Sequence, residues 1–198
     1  MTLYCATTNR GKLREFRLIL SHHAGAEIAV EPLEAMRTLP PCEENGATFE
    51  ANAVEKALYY SKHAPALLFA DDSGLEVDSL GGAPGVRSAR YSGENATDYD
   101  NNALLLASLV NEPHRSARFI CVIALAEAGR LVKTFRSAVE GEILRSIRGS
   151  DGFGYDPLFY YRPFGCSFAE IPAERKMMVS HRGAAVRAMA DYVLSVQK

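Results

Sequence analysis

The chain has 198 residues, enough for a well-filled core and the usual size of one domain, or of one domain with two lobes. Hydrophobic residues make up 47% and charged residues 23%, with a formal net charge of -2, so the basic excess of a protein that tracks a nucleic-acid polymer is excluded, while a small anion held by a few local lysines is not. Cys5, Cys42, Cys121 and Cys166 form no C-x-x-C pair, no apolar run approaches a membrane span, and the first residues lack a basic segment followed by an apolar one. These features predict a soluble cytoplasmic protein with neither zinc nor disulfide framework, whose partners include no membrane.

In chain order, Thr2 to Ala6 reads as a short strand, and Leu13, Phe16, Ile19 and Leu20 then recur on one helical face directly after a turn. Thr48 to His63 reads as a second helix, with Thr48 as N-cap, an apolar stripe of Ala51, Ala53, Val54, Ala57 and Leu58, and Pro65 as the stop. The stretch 66-ALLFADDSG-74 is a buried strand running into a turn that bears carboxylates, and 81-GGAPGVRSARYSG-93 is a glycine-rich loop. A helix is expected over 98–110, with Ala103, Leu104, Leu106, Ala107 and Val110 inward. Two adjacent strands over 118–129 and 131–144 meet at a glycine turn, and a last helix runs from about Gly183 to Val196. No linker or repeat interrupts the pattern, so the expectation is one α/β domain over 1–198, with antiparallel pairing in the 118–144 region.

Four segments carry more polar residues than their places in the pattern explain. In 7-TTNRGK-12 the N–H groups opening a helix and the Lys12 ammonium favour an anion, although turn chemistry alone accounts for Asn9 and Gly11. This is not a P-loop, because Leu13 stands where that motif places its magnesium-binding hydroxyl. In 70-ADDSGLEVD-78 two aspartates follow an apolar strand, where open α/β sheets place ligands and where magnesium finds carboxylate oxygens. The loop 152-GFGYDPLFY-160 can present an aromatic ring and a carboxylate to a flat ligand, and 176-KMMVSHRGAA-185 brings an imidazole and a guanidinium to a helix N-terminus.

The segments 7-TTNRGK-12, 48-TFEANAVEKA-57, 70-ADDSGLEVDSLGGAPGVRSARYSG-93, 153-FGYDPLF-159 and 180-SHRGAA-185 together resemble the inosine triphosphate pyrophosphatase family, in the family's order and spacing over nearly the whole chain. The resemblance implies hydrolysis of ITP, dITP and XTP to monophosphate and pyrophosphate, a house-cleaning of the nucleotide pool. It also implies Mg2+, a homodimer, and a mixed, partly antiparallel central sheet flanked by helices, in two lobes with the active site in the cleft between them. Carried over residue by residue, Thr7, Thr8, Asn9, Arg10, Gly11 and Lys12 cradle the triphosphate and Lys56 lies near the phosphates. Glu44, with Glu43 adjacent as the alternative, joins Asp72 as metal ligand. Asp72 is the catalytic carboxylate, with Ser73 at the substrate. Phe153, Gly154, Tyr155 and Asp156 pack on and read the base, and Lys176, His181 and Arg182 supply the remaining substrate contacts.

That assignment answers where the metal sits if Leu13 carries no hydroxyl: its oxygens come from Glu44 and Asp72 on other segments. Magnesium with Lys12, Lys56 and Arg182 offsets the charge on the leaving pyrophosphate, and Asp72 orients or deprotonates the water. Inosine and xanthosine carry an oxygen at C6 where adenine carries an amine, so a donor from His181, Arg182 or the amides near Tyr155 and Asp156 would reject ATP. Two other classes remain open at this point: another magnesium-dependent phosphohydrolase using the DDSG acid as nucleophile, and a nucleotide-binding sensor without turnover.

Overall fold

The computed structural model describes residues 1–196. β1 (Thr2–Cys5) leads through a turn into α1 (Arg10–His23), whose N-cap Asn9 accepts the Lys12 N–H at 3.0 Å and whose buried face is Phe16, Ile19 and Leu20. β2 (Ala29–Pro32) returns beside β1. α2 (Phe49–Ser61) starts at the expected cap, with Thr48 Oγ1 accepting the Ala51 N–H at 3.1 Å. β3 (Leu68–Val77) is followed by two short 3-10 turns, α3 (Asp98–Ser108), β4 (Ser116–Glu127), β5 (Arg130–Ile143), β6 (Phe159–Tyr161), β7 (Cys166–Ser167), α4 (Ala173–Val179) and α5 (His181–Val196). Among the described residues no helix is long and apolar enough to cross a membrane.

The strands form one mixed sheet in the order β2-β1-β3-β4-β5-β6-β7, parallel where β1 meets β2 and β3, antiparallel where β6 meets β5 and β7. β4 and β5 turn over at Ala128-Gly129, both at positive φ (49° and 80°), as a two-residue hairpin loop requires. The α/β class, mixed sheet and flanking helices follow the expectation.

The chain divides into two compact units. The first holds Met1–Asp72, Cys121–Ser137 and the chain from His181 onward. Its core packs α1 against the sheet, with Phe16 and Phe69 edge to face at 5.1 Å between centroids. The second holds Ser73–Ile120 and Ala138–Ser180, around a cluster of Leu75, Val77, Leu105, Leu109, Phe119, Phe159 and Phe168.

Four local expectations are corrected. Asp71 and Asp72 lie inside β3, not in a turn after it, because ion pairing and hydrogen bonding let a strand carry both acids while buried. The inward face of α3 is Asn101, Asn102 and Leu105, continuing to Leu109, while Leu104 and Val110 are 37% and 68% exposed. A purely apolar scan passes over two asparagines that bury by hydrogen bonding. In α2 likewise, Ala51 is exposed and Asn52 is buried with Ala53 and Ala57. Finally, α5 begins at His181, so His181 and Arg182 belong to its first turn rather than preceding the helix, and Lys176 rides on a separate short helix, α4. β2, β6, β7 and α4 have no counterpart in the sequence reading, being two to seven residues long and too short for a period to register.

Candidate active site

In the first unit, side chains on a strand leave alternately to opposite faces, and β3 uses this to give its two acids different surroundings. Asp71 accepts an ion pair from Lys12 of α1 at 2.9 Å, and Arg182 Nε of α5 lies 3.9 Å from the same Oδ2. Arg182 also pairs with Glu15 of α1. Asp72 instead accepts the Asn52 Nδ2 of α2 at 3.0 Å. Lys56, one turn further along α2, donates to the Asp71 carbonyl at 3.1 Å and pairs with Glu44 at 3.0 Å.

The two neighbouring carboxyls are driven apart in acidity. Burial pushes Asp72 up to about 6, with Lys56, the Asn52 hydrogen bond and Lys12 only partly countering it. Asp71 is buried more deeply, yet Lys12, Arg182 and Lys56 outweigh burial and hold it below the usual carboxylate range. Burial opposes the charge on Lys56, but Asp71, Glu44 and Asp72 outweigh it and raise its pKa. Lys56 is therefore firmly cationic, and Asp72, unlike Asp71, changes protonation near neutral pH.

The loop before α2 is tied to the same group. Asn52 Oδ1 accepts the Gly46 N–H at 2.7 Å while its Nδ2 holds Asp72. A Cβ on Gly46 would fall 2.6 Å from Asn52 Oδ1 and 2.7 Å from the Ala51 Cβ, so the loop approaches this closely only with glycine there. Of the two adjacent acids, Glu44 turns to Lys56, whereas Glu43 is exposed and accepts from Asn45 Nδ2 at 3.1 Å. Thr7 and Asn9 build the opening turn, the Asn9 N–H reaching Thr7 Oγ1 at 3.2 Å, while Thr8 and Arg10 are exposed beside it. Lys12 opens α1 with its N–H on the Asn9 cap, while its ammonium reaches Asp71.

The second unit holds the other predicted group. Asp156 Oδ2 accepts the Phe153 N–H at 2.9 Å and an ion pair from Lys176, both partners being buried. The Lys176 ammonium lies 5.1 Å from the centre of the Phe153 ring, a cation–π distance. Gly152, at φ +77°, leaves the space that the Asp156 carboxylate fills: a Cβ there would be 2.1 Å from Oδ2. The Tyr155 hydroxyl donates to the Ser88 carbonyl at 2.8 Å, and burial raises its pKa, so it stays a protonated anchor. Ser73 is half-buried in β3, and its neighbour Gly74 admits Ser88 so closely that a Cβ would stand 2.3 Å from Ser88 Oγ.

A profile described as the Ham1 family matches residues 3–192. The chain belongs to the Ham1 family. It is 48% identical over 193 residues to a dITP/XTP pyrophosphatase of Geobacter sulfurreducens, covering 96% of each chain. A second dITP/XTP pyrophosphatase, from Syntrophobacter fumaroxidans, is 47% identical over 93% of this chain and 78% of its own length. Among solved structures, the Ham1 protein of Staphylococcus aureus aligns over 100% of both chains with a TM-score of 0.87 at 36% identity, and the HAM1 protein of Coxiella burnetii aligns over 98% of this chain with the same score.

Within this Ham1-family chain, Thr7 to Lys12, Glu44, Lys56, Asp72, His181 and Arg182 fall in the first unit, and Phe153 to Asp156 with Lys176 in the second. Arg182, 3% exposed, pairs with Glu15 and lies beside Asp71. Sequence reasoning gives no role to Asn52 or Glu15 and offers Asp71 only as one of two paired carboxylates suited to magnesium. Asn52 was visible as a polar residue on the inward face of α2, between Phe49 and Ala53. Asp71 and Glu15 show their part only once strand and helix are placed together.

Proposed function

We propose that this Ham1-family chain hydrolyses deaminated purine nucleoside triphosphates, ITP, dITP and XTP, to the monophosphate and pyrophosphate. The observation that carries this reading is a set of cations, Lys12 and Arg182 on Asp71 and Lys56 on Glu44, beside an adjacent carboxyl, Asp72, whose pKa burial lifts to about 6, in a chain 48% identical to a dITP/XTP pyrophosphatase. Phosphoanhydride hydrolysis needs cations beside the phosphates and a base that ionises near neutral pH.

In the proposed reaction the α1 amides and Lys12 hold the triphosphate, and Lys56 and Arg182 offset charge as the α–β bond breaks. Asp72, ionised above about pH 6, takes the proton of the attacking water. Glu44 and Asp72 are the proposed Mg2+ ligands. Both act on the Lys56 ammonium, so two carboxylates already converge on one cation, and two carboxylates plus substrate phosphates make a usual magnesium shell. Bound magnesium supplies Lewis-acid stabilisation of the phosphate oxygens. Lys12, Lys56 and Arg182 are each already paired with a carboxylate, Asp71, Glu44 and Glu15, so magnesium would add positive charge for the triphosphate.

Phe153 to Asp156 and Lys176 are the proposed base readers, with Lys176 a buried donor suited to a purine carbonyl. The family resemblance supports a cytoplasmic homodimer with Mg2+ as cofactor and no nucleic-acid polymer as substrate. A panel of ITP, dITP, XTP, GTP and ATP with separate pyrophosphate and orthophosphate readouts tests the proposal. Pyrophosphate from the first three, well above ATP, is expected; orthophosphate as first product, or binding without turnover, refutes it.

A further inference from the structure

The loop assigned above to base reading is gripped by side chains from the first two turns of α3. The Gly154 N–H donates to Asp98 Oδ2 at 2.6 Å, and the Gly154 carbonyl accepts from Asn102 Nδ2 at 2.9 Å. Residues four apart lie on one helix face, so two side chains of α3 take both polar groups of a single loop residue. Asn101 beside them ties down the preceding segment, its Oδ1 accepting Ser92 N–H and Oγ at 2.9 and 3.1 Å and its Nδ2 donating to the Ala89 carbonyl at 3.2 Å.

Burying an amide side chain at the start of a helix costs stability unless its bonds are made, and Asn101 and Asn102 are 3% and 4% exposed. A Cβ on Gly154 would meet no heavy atom within 4 Å, so that side of the residue is open, and its φ of +63° is one that glycine adopts readily. The two bonds from α3 fix the Gly154 backbone between Phe153, whose N–H Asp156 holds, and Tyr155, whose hydroxyl is anchored on Ser88.

We propose that Asp98 and Asn102 are positioning residues for base selection: by fixing the Gly154 backbone from α3, they hold Phe153 and the Asp156–Lys176 pair in one arrangement toward the purine. This rests on the assignment of Phe153 to Asp156 as base readers. Neither residue touches substrate in this scheme. Phosphate recognition and the hydrolytic step, which use other residues, do not depend on the clamp.

The test compares kcat and KM for dITP with those for ribose 5-triphosphate, which has no base. Asn102→Asp keeps the shape but replaces the Nδ2 donor by an acceptor against the Gly154 carbonyl, and Asp98→Ala removes the other bond. Each is expected to raise the KM for dITP by about five- to tenfold, the effect of one lost hydrogen bond, with little change in kcat or in turnover of the base-less substrate. Asp98→Asn retains a carbonyl acceptor and should restore most of what Asp98→Ala loses. An equal fall with both substrates, no change with dITP, or an Asp98→Asn as impaired as Asp98→Ala overturns the proposal. Phe153→Ala separates the two layers of the argument. If it leaves dITP and base-less turnover in their original ratio, the base-reading assignment itself fails and the clamp falls with it. If it lowers that ratio while the α3 variants do not, the clamp alone is refuted.

Discussion

Replacing Asp72 by Asn should separate stability from activity in opposite directions. The folded protein raises this carboxyl from 3.8 to about 6, mainly by burial, so the native state holds the proton more tightly than the unfolded chain. Its contribution to stability is therefore complete below pH 3.8 and is lost as pH rises through about 6. Two units at about 1.4 kcal/mol each set an upper bound near 3 kcal/mol, a figure from which the opposing pull of Lys56 is already taken off because it lowers the same pKa. Asparagine is neutral at every pH and keeps a carbonyl oxygen for the Asn52 Nδ2 that now bonds the carboxylate at 3.0 Å. Urea melts in EDTA should then show Asp72→Asn more stable than the parent at about pH 8, with the advantage shrinking toward about pH 4. Turnover of dITP should fall at least about a hundredfold. An Asp72→Asn protein that is less stable at both pH values, or that retains near-normal turnover, refutes the assignment of Asp72 as a destabilised, reactive acid.

Asp71→Asn should do the reverse: it strands Lys12 and Arg182 beside a neutral group, costing about 3 kcal/mol at neutral pH, and because the parent carboxyl is lowered, the parent itself loses this stability as pH falls below the ordinary aspartate range. Thermal melts of both proteins across that range check it. Gly46→Ala should push the loop bearing Glu44 away from Asn52, raising the magnesium concentration for half-maximal rate by about tenfold with less effect at saturating metal, as a metal titration would read. The kcat/KM of the parent should fall about tenfold per unit below about pH 6, the acid limb belonging to Asp72, and activity should vanish in excess EDTA.

Much of the frame was legible because it obeys local rules. Asn9 and Thr48 are side-chain caps, and Ala128-Gly129 is a hairpin loop, so α1, α2 and the β4–β5 turn are readable from short stretches. The resemblance supplied candidates such as Glu44 and Asp72, yet the chemistry around them is long-range. Asp71 draws Lys12 from 59 positions earlier and Arg182 from 111 positions later, by the residue numbers in the chain. No period or spacing encodes such pairs. The misreading of α3 has a physical cause too: Asn101 and Asn102 bury polar side chains where apolar ones were sought, because their partners are backbone groups of distant loops.

The adjacent acids of β3 explain why both are present. A lone buried carboxylate between two helix layers would either neutralise itself or destabilise the strand. Asp71 avoids this by collecting cations: Lys12 and Arg182 oppose its charge directly, and Lys56 bonds its carbonyl. The same cations are the ones proposed to meet the triphosphate, so Asp71 stores them at the site while the protein is empty of substrate. Asp72, on the other face, is raised by burial that Lys56, the Asn52 amide and Lys12 counter in part, which leaves its pKa where a general base is useful. One acid serves to organise charge and its neighbour to titrate, and strand alternation alone is enough to divide the roles. Exchanging the environments should exchange the roles: an Asn52→Lys substitution, placing a cation against Asp72, is expected to lower the Asp72 pKa and shift the acid limb of kcat/KM downward while reducing the rate at alkaline pH. An acid limb that stays in place in that variant would show that a group other than Asp72 controls it.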